Sequence, residues 1–272
     1  MLVETHSAAQ SAFLRRYRRR ERLIVYVRWG LLALFLGQWE LSARLGWIDP
    51  FLLSSPSRMA ATAASLFASG ELFTHISVTL GETLVGFLLG SLLGIGLAVL
   101  LWWSKTLSRI LDPYLVILNS LPKIALGPVL IVWMGSGVEA IVTMTLLISV
   151  IVTLCTVLGG FNEVSPEKLT LLRSFGASKW QCFCKVVLPG SLPTVVSALK
   201  LGIGMSWVGV IVGEFLVSRA GLGYLIVYGG QVFKLDLVMA ATAILCVLAA
   251  LMYFCIAFLE KRLRDKRGET AG

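Results

Sequence analysis

The chain has 272 residues, of which 57% are hydrophobic and 14% are charged, and its formal net charge is +9. Soluble domains carry about 25% charged residues, so this composition excludes an ordinary soluble protein and indicates an integral membrane protein. The basic residues are not accompanied by the aromatic stacking or folded reading element of a nucleic-acid-binding domain. Nucleic acid is therefore not expected as a partner.

Six segments are long and apolar enough to cross a bilayer, which takes about 20 residues for about 30 Å of hydrocarbon. Lipid cannot satisfy backbone N–H and C=O groups, and these runs are longer than barrel strands, so each is predicted to be a helix. The predicted spans cover residues 23–43, 80–103, 113–134, 138–160, 195–216 and 237–259. The expected fold class is therefore all-α integral membrane with six transmembrane helices.

Lysine and arginine are concentrated in segments that would lie on one side of the membrane. Because positively charged loops tend to stay in the cytoplasm, both termini are predicted to be cytoplasmic. The predicted organisation is a basic tail at 1–22, a first helix at 23–43, an extracytoplasmic loop with an amphipathic segment at 44–79, a helical unit at 80–260 that includes a cytoplasmic loop at 161–194, and a basic tail at 261–272.

The sequence lacks the common motifs of nucleotide and metal chemistry. It contains no G-x-x-x-x-G-K-[ST] phosphate cradle and no H-E-x-x-H zinc motif. Its five cysteines and two histidines are not spaced like a disulfide framework or a metal site. We expect no cofactor in this chain, no enzymatic activity, and any ATP to be bound by another subunit.

Small residues recur on one face of two predicted helices. Gly86, Gly90 and Gly94 are spaced by four in the second span, and Gly202, Gly209 and Gly213 give the fifth span a similar face. Such faces let helix backbones approach closely in lipid. We expect them to pack within one bundle rather than form a dimer seam.

Charged residues in or near membrane spans are costly and often functional, and two examples are Lys123 and Glu214. Lys123 follows Pro122 in the third span, and Glu214 lies near the outer end of the fifth. Pro122 and Pro128 each remove a backbone donor and predict a kink in the third span. Lys123 and Glu214 are candidate pathway or gating residues. The alternatives are snorkelling or pairing for Lys123, and an interfacial or loop-capping role for Glu214.

The 161–194 loop predicts two short amphipathic helices with a glycine elbow. Ser165 followed by Pro166 is a helix start, and Gly176 suits a left-handed helix end. A second start is predicted at Ser178. The expected apolar faces comprise Leu169, Leu172 and Phe175 in the first helix and Trp180, Phe183, Cys184 and Val187 in the second. Pro189 and Pro193 are expected to interrupt the second helix before the next span.

These two helices cannot bury their apolar faces alone. They are expected to lie on the membrane surface, against the ends of the bundle, or in the groove of a partner protein.

The loop resembles the signature of bacterial ABC importer permeases, E-A-A-x3-G-x9-I-x-L-P. Gly176 takes the glycine position, Val186 the isoleucine position, and Leu188 with Pro189 the closing pair. The triad positions fall on residues 170–172, which read Thr-Leu-Leu, so the E-A-A triad is absent, and Glu167 lies one turn too early to replace it.

The resemblance continues along nearly the whole chain after residue 45 and is to the nitrate, sulfonate and taurine branch of these permeases. The similar segments are Leu53-Ser54-Ser55-Pro56-Ser57, Ser69-Gly70-Glu71-Leu72 with His75, Thr79-Leu80, Gly86-Phe87, Leu121-Pro122-Lys123, Trp133-Met134-Gly135, Gly176-Ala177-Ser178, Gly213-Glu214 and Gly221-Leu222-Gly223.

The resemblance implies a permease in the bacterial inner membrane that moves a small polar solute by alternating access. The implied fold is a five-helix core preceded by one extra N-terminal helix. The implied partners are a second permease copy, two ATPase subunits that bind ATP and magnesium, and an extracytoplasmic substrate-binding protein. The residues expected to couple to the ATPase are Glu167, Leu172, Phe175, Gly176, Ala177, Ser178, Trp180, Leu188 and Pro189.

Two other classes remain as alternatives. An ion-coupled secondary transporter would place more ionisable residues in mid-membrane and show internal repeats with broken helices. A membrane-embedded enzyme would show a cluster of His, Asp or Glu at helical spacing.

Overall fold

The computed structural model describes residues 8–266, which form helices and turns and no strand. The outermost parts of the predicted basic tails, residues 1–7 and 267–272, lie outside the described residues. The helices are α1 (Ala8–Arg44), α2 (Pro50–Leu53), α3 (Pro56–Ala68), α4 (Glu71–Trp103), α5 (Lys105–Ser120), α6 (Gly127–Met134), α7 (Val138–Asn162), α8 (Pro166–Ser174), α9 (Lys179–Cys182), α10 (Leu188–Val217), α11 (Leu222–Gln231) and α12 (Leu235–Lys266).

Within the described residues, four helical stretches are long and apolar enough to cross a membrane, and the pair α5 and α6 makes a fifth if it is one span. The four are Glu71–Trp103, Val138–Asn162, Lys179–Val217 and Leu235–Phe258. α1 is not among them, because its apolar half carries Arg28 and Glu40 and its other half is rich in arginine. The predicted count of six spans is therefore not confirmed, although the all-helical membrane architecture is.

The predicted third span is not one helix. α5 and α6 meet at an angle of 83°, with a 3-10 turn at Lys123–Leu126 between them. Leu121 is extended, with ψ of 132°, because the ring of Pro122 disfavours a helical conformation in the residue before it. Pro128 does not kink a helix as expected but lies in the first turn of α6, where its missing donor costs little.

The centre of the fold is a three-helix bundle of α4, α7 and α10, and its contacts are made by small residues. Glycines of α4 face hydroxyl-bearing residues of α7, and both series repeat every four residues. A Cβ added to Gly94 would lie 2.7 Å from the Cβ of Thr153. The facing pairs are Gly86 with Thr145, Gly90 with Ser149, and Gly94 with Thr153. The prediction of packing within one bundle is confirmed.

The glycine face of α10 closes the same bundle from the other side. A Cβ on Gly209 would lie 2.5 Å from the Cα of Thr145, and one on Gly213 would lie 3.0 Å from the Cα of Ile141. Thr145 is fully buried between α4 and α10. Three helix backbones thus approach one another closely, with little room for larger side chains.

The helix that leads into the fifth span is continuous, so the predicted interruption at Pro189 and Pro193 is wrong. It runs from Lys179 to Val217 as α9, a π-helical turn at Phe183–Val187, and α10. In the π turn the N–H of Leu188 donates to the carbonyl of Phe183, one residue further back than in an α-helix. Pro189 follows Leu188, so its missing N–H falls at the point where the hydrogen-bonding register has just shifted.

Pro193 lies inside α10 without ending it. The hydroxyl of Ser191 donates to the carbonyl of Val187 at 2.7 Å, close to this proline. Hydroxyl groups and neighbouring helices commonly compensate for a proline in this way within membrane helices.

The segment between α1 and α4 is tied to the start of α12. Nη2 of Arg58 lies 2.7 Å from Oδ2 of Asp236, and the hydroxyl of Ser54 donates to Oδ1 of the same carboxylate at 2.7 Å. Asp236 therefore holds α3 at one end of the bundle.

Candidate functional site

The loop between α7 and α10 begins with the helix α8, whose first turn is organised by Glu167. Ser165 occupies the N-cap position as predicted, but its hydroxyl donates to the carboxylate of Glu167 and accepts no bond from a backbone N–H of α8. The hydrogen bond from Ser165 lowers the pKa of Glu167 from its ordinary value. Pro166 occupies the first helical position, so the predicted helix start is confirmed.

The end of α8 is a Schellman motif centred on Gly176, which has φ of +77°. The N–H of Gly176 donates to the carbonyl of Arg173 at 2.9 Å, and the N–H of Ala177 donates to that of Leu172 at 3.1 Å. The expected left-handed glycine is confirmed. Two carbonyls at the end of α8 are thereby satisfied, and the direction of the elbow is fixed.

The next helix begins at Ser178, as predicted, with a reciprocal capping box. The hydroxyl of Ser178 accepts a bond from the N–H of Gln181 at 3.3 Å, and the N–H of Ser178 donates to the Gln181 side chain at 2.8 Å. A capping box satisfies two backbone donors that the helix cannot satisfy itself. The elbow is therefore defined at both ends by local bonds.

Aromatic side chains hold this second helix against the bundle. Phe183 is buried, and its ring centroid lies 5.0 Å from that of Trp102 and 5.5 Å from that of Phe161. Trp180 stacks on the outer side of Phe183 at 6.0 Å. These contacts link the end of α4, the end of α7 and the start of the long helix.

Lys179 fastens the loop to the end of α4. Its Nζ donates to the main-chain carbonyl of Trp103 and lies 5.2 Å from the centroid of the Trp103 ring. A cation at a helix C-terminus complements the negative end of the helix dipole. The bundle side of the elbow is thus anchored by packing and by charge.

The opposite side of the loop leaves large apolar groups exposed. Phe175 is 81% exposed, Trp180 is 60% exposed and Leu171 is 56% exposed. The predicted stripe through Leu169, Leu172 and Phe175 is divided, because the two leucines are half-buried and Phe175 points outward. We call the surface formed by Leu171, Phe175, Gly176 and Trp180 the elbow tip.

Leu188 and Pro189 lie away from the elbow tip. Both are exposed and belong to the first turn of α10. Sequence comparison of the loop groups them with Gly176, but the structure places them on the continuous helix that leads into the membrane.

Lys123 lies beside a cavity of about 320 Å³ between α5 and α7, which has both apolar and polar lining groups. Its Nζ donates to the main-chain carbonyl of Asn119 at 3.1 Å, and Asn119 lines the cavity. The polar lining groups are Asp112, Asn119, Ser120, Cys155 and Asn162. Sequence reasoning found Lys123 but missed Asp112 and Asn119. Asp112 and Asn119 are seven residues apart and so lie on one face of a helix whose other side is apolar. This spacing could have indicated a polar face in the sequence.

Glu214 is buried, with 1% of its surface exposed, and belongs to a set of side chains that accept the first backbone donors of the α11 turn. The bonds are Gly221 N–H to His75 Nδ1 at 2.9 Å, Leu222 N–H to Thr79 Oγ1 at 2.7 Å, and Gly223 N–H to Glu214 Oε2 at 2.5 Å. This geometry supports the loop-capping interpretation of Glu214, and it does not place the carboxylate at the outer interface. His75 and Thr79 are among the residues that carry the family resemblance, but their bonds to this turn could not be predicted from sequence.

Glu82 is a second buried carboxylate, in α4, and its Oε2 and the Oε1 of Glu214 have no hydrogen-bond partner in the part of the chain that the structure describes. Among the described residues, no group of three or more His, Cys, Asp or Glu side chains is arranged to hold a metal ion. Of the two carboxylates, Glu214 supports the start of α11 by accepting the bond from Gly223.

Comparison with known proteins places the chain in a family. Residues 86–265 match the family described as "Binding-protein-dependent transport system inner membrane component". A "Probable ABC transporter permease protein" of Haemophilus influenzae is 34% identical over 225 residues, which are 82% of this chain and 91% of that protein. The taurine transport system permease protein TauC of Escherichia coli is 26% identical over 246 residues, covering 89% of this chain and 90% of that protein.

The fold also resembles a solved bacterial ABC transporter involved in the import of the acidic polysaccharide alginate. The TM-score is 0.65 at 15% identity, with 93% of this chain and 98% of that chain covered. This likeness concerns the fold alone. The resemblance to the nitrate, sulfonate and taurine branch, predicted from the motifs, is confirmed by the sequence matches. The chain therefore belongs to the binding-protein-dependent transport system inner membrane component family, the multi-pass permease subunits of ABC importers.

Proposed function

We propose that the elbow tip docks into a separate ATPase subunit and that its movement drives alternating access in this permease. The proposed assembly contains two copies of this chain, two ATPase subunits that bind ATP and magnesium, and an extracytoplasmic substrate-binding protein. The proposed topology has six spans, with residues 23–43 as an extra first span and both termini in the cytoplasm. The solute is a small polar molecule, either a taurine-, sulfonate- or nitrate-like anion or a vitamin precursor.

The observation that carries this proposal is the combination of a rigid elbow with an exposed apolar tip. The Schellman motif at Gly176 and the capping box at Ser178 fix the backbone locally. Phe175 and Trp180 nevertheless remain exposed. Large exposed apolar groups on a fixed backbone are the features of a helix that inserts into a partner's groove.

The connection from the elbow tip to the bundle supports a lever-like movement. The helix from Lys179 to Val217 has 39 residues, a length of about 58 Å at 1.5 Å per residue. Its membrane part contacts α7 through Gly209 and Gly213 at near-backbone distance. Closely packed helices move as rigid bodies because interiors deform little. Displacing the docked end would therefore tilt α10 together with its neighbours.

The cavity between α5 and α7 is the proposed inner part of the solute pathway. Lys123 places a positive charge beside the cavity and Asp112 places a carboxylate in its lining. Asn119 and Ser120 offer hydrogen-bonding groups, so the cavity suits a small polar solute. Glu214 would influence gating indirectly, because it holds the start of α11 against the bundle.

Reconstitution tests the proposal. The permease, its co-purified ATPase and the binding protein are placed in vesicles, and solute uptake is followed with ATP, without ATP, and with a proton ionophore. We expect uptake that requires ATP hydrolysis and persists with the ionophore. Uptake that needs an ion gradient and no ATPase would overturn the proposal in favour of a secondary transporter.

A further inference from the structure

A second concave surface lies between the start of α5 and the start of α8, beside the elbow but away from its tip. We call it the basic groove. It has a volume of about 400 Å³. Its walls come from the ends of α4 and α7, the first turns of α5, and α8 with Lys179. The basic groove therefore lies where the bundle meets the coupling loop.

The charged groups that line the basic groove are all cations, namely Lys105, Arg109, Arg173 and Lys179. No aspartate or glutamate lines it. Lys179 is held by the carbonyl of Trp103, whereas the other three form no ion pair with any side chain that the structure describes. Four cationic side chains with no carboxylate among the lining residues would strongly favour the binding of an anion in the groove.

The helix ends add to this positive potential. The first turns of α5, at Lys105 and Ser108, and of α8, at Pro166, Leu169 and Thr170, both line the groove. N-termini of helices present backbone N–H groups and the positive end of the dipole. The carboxylate of Glu167 lies in the first turn of α8 and offsets part of this potential there, whereas the first turn of α5 holds no acidic residue.

Tryptophans beside the groove indicate its depth relative to the membrane. Trp102 lines the groove, and the ring centroid of Trp103 lies 6.2 Å from that of Trp102. Tryptophan is enriched at the level of the lipid headgroups, and basic pockets on the cytoplasmic side of membrane helices bind anionic headgroups. An anion at this depth is more readily a lipid phosphate than a dissolved metabolite.

We propose that the basic groove binds the phosphate of an anionic phospholipid from the inner leaflet. The guanidinium groups of Arg109 and Arg173 and the ammonium group of Lys105 would donate to the phosphate oxygens, as such groups do in charge-assisted pairs. The bound headgroup would connect α5 to α8 and so brace the elbow against the bundle. This inference rests on the proposed topology, in which the groove faces the cytoplasm.

The test is native mass spectrometry of the purified full chain in detergent with added lipid. Phosphatidylglycerol is compared with phosphatidylcholine at equal concentration, for the wild type and for the double variant K105Q/R109Q. The matched control is R219Q/K234Q, which removes two exposed cations from the opposite end of the bundle. We expect retained phosphatidylglycerol in the wild type and in the control, and at least about tenfold weaker retention in K105Q/R109Q. R173Q, on the other wall, should also weaken retention.

Equal retention of the two lipids by the wild type, or equal losses in the test and control variants, would overturn the proposal. Displacement of phosphatidylglycerol by millimolar inorganic phosphate would also overturn it, by assigning the groove to a soluble anion. Thermal unfolding of each variant confirms that the compared chains are folded. Because the readout is lipid binding, it is independent of ATP-driven uptake, so this inference and the proposed function can fail separately.

Discussion

Replacing Gly176 by valine tests whether the left-handed elbow is required for coupling. Gly176 has φ of +77°, and no atom lies within 4 Å of the position where a Cβ would be added. The substitution therefore meets no neighbour within the chain, and its cost comes from the backbone. A side chain in the left-handed region costs about 1–2 kcal/mol, equivalent to a roughly 5- to 30-fold smaller population of the native elbow. Valine, which is β-branched, belongs at the upper end of that range.

The assay measures ATP hydrolysis and solute uptake in the same vesicles. For Gly176→Val we expect the uptake per ATP hydrolysed to fall severalfold or more, while insertion into the membrane is unchanged. Gly176→Asn adds a side chain of similar size but tolerates the left-handed conformation, so it should retain most of the coupling. Gly96→Val is a second control, because Gly96 lies in a regular helix with open space around it. Unchanged coupling in Gly176→Val, or equal losses for valine and asparagine, would refute the backbone explanation.

Two further substitutions test the bundle and the α11 turn. Gly209→Ala should lower the stability by about 1–3 kcal/mol through overpacking, whereas Gly204→Ala, which has nothing within 4 Å, should be close to neutral. Thermal unfolding in detergent compares the two, and equal stabilities would show that the bundle tolerates the added methyl group. Glu214→Leu leaves the N–H of Gly223 without its acceptor and should destabilise the turn by about 1–3 kcal/mol, seen as faster amide exchange at the start of α11. Glu214→Gln keeps an acceptor oxygen and should have a smaller effect, and equal exchange in the two variants would count against the capping role.

Local signals predicted the glycine contacts and the helix ends of the loop well. A four-residue spacing of glycines puts them on one helical face whatever the fold, so Gly86, Gly90 and Gly94 could be assigned to packing before any partner helix was known. The caps at Ser178 and Gly176 likewise depend on bonds within a few residues.

Features that depend on a change of helical register or on distant residues could not be predicted. The π turn at Phe183–Val187 shifts the backbone hydrogen bonding by one residue. The helix therefore continues through Pro189, where the sequence predicted that it would be interrupted. The acceptors His75 and Thr79 serve a turn about 145 positions away along the chain. The hydrophobic periodicity of a short sequence segment carries no information about contacts between residues so far apart in the chain.

The central claim is that the elbow tip contacts the ATPase, and site-specific photo-crosslinking at Phe175 tests it most directly. A benzoylphenylalanine replaces Phe175, which is 81% exposed, in the permease co-expressed with its ATPase, and the same probe at Phe51, exposed in α2, is the control. We predict that ultraviolet light links the ATPase to the probe at Phe175 and not to the probe at Phe51. A crosslink only to lipid or to the permease itself at Phe175 would contradict the account.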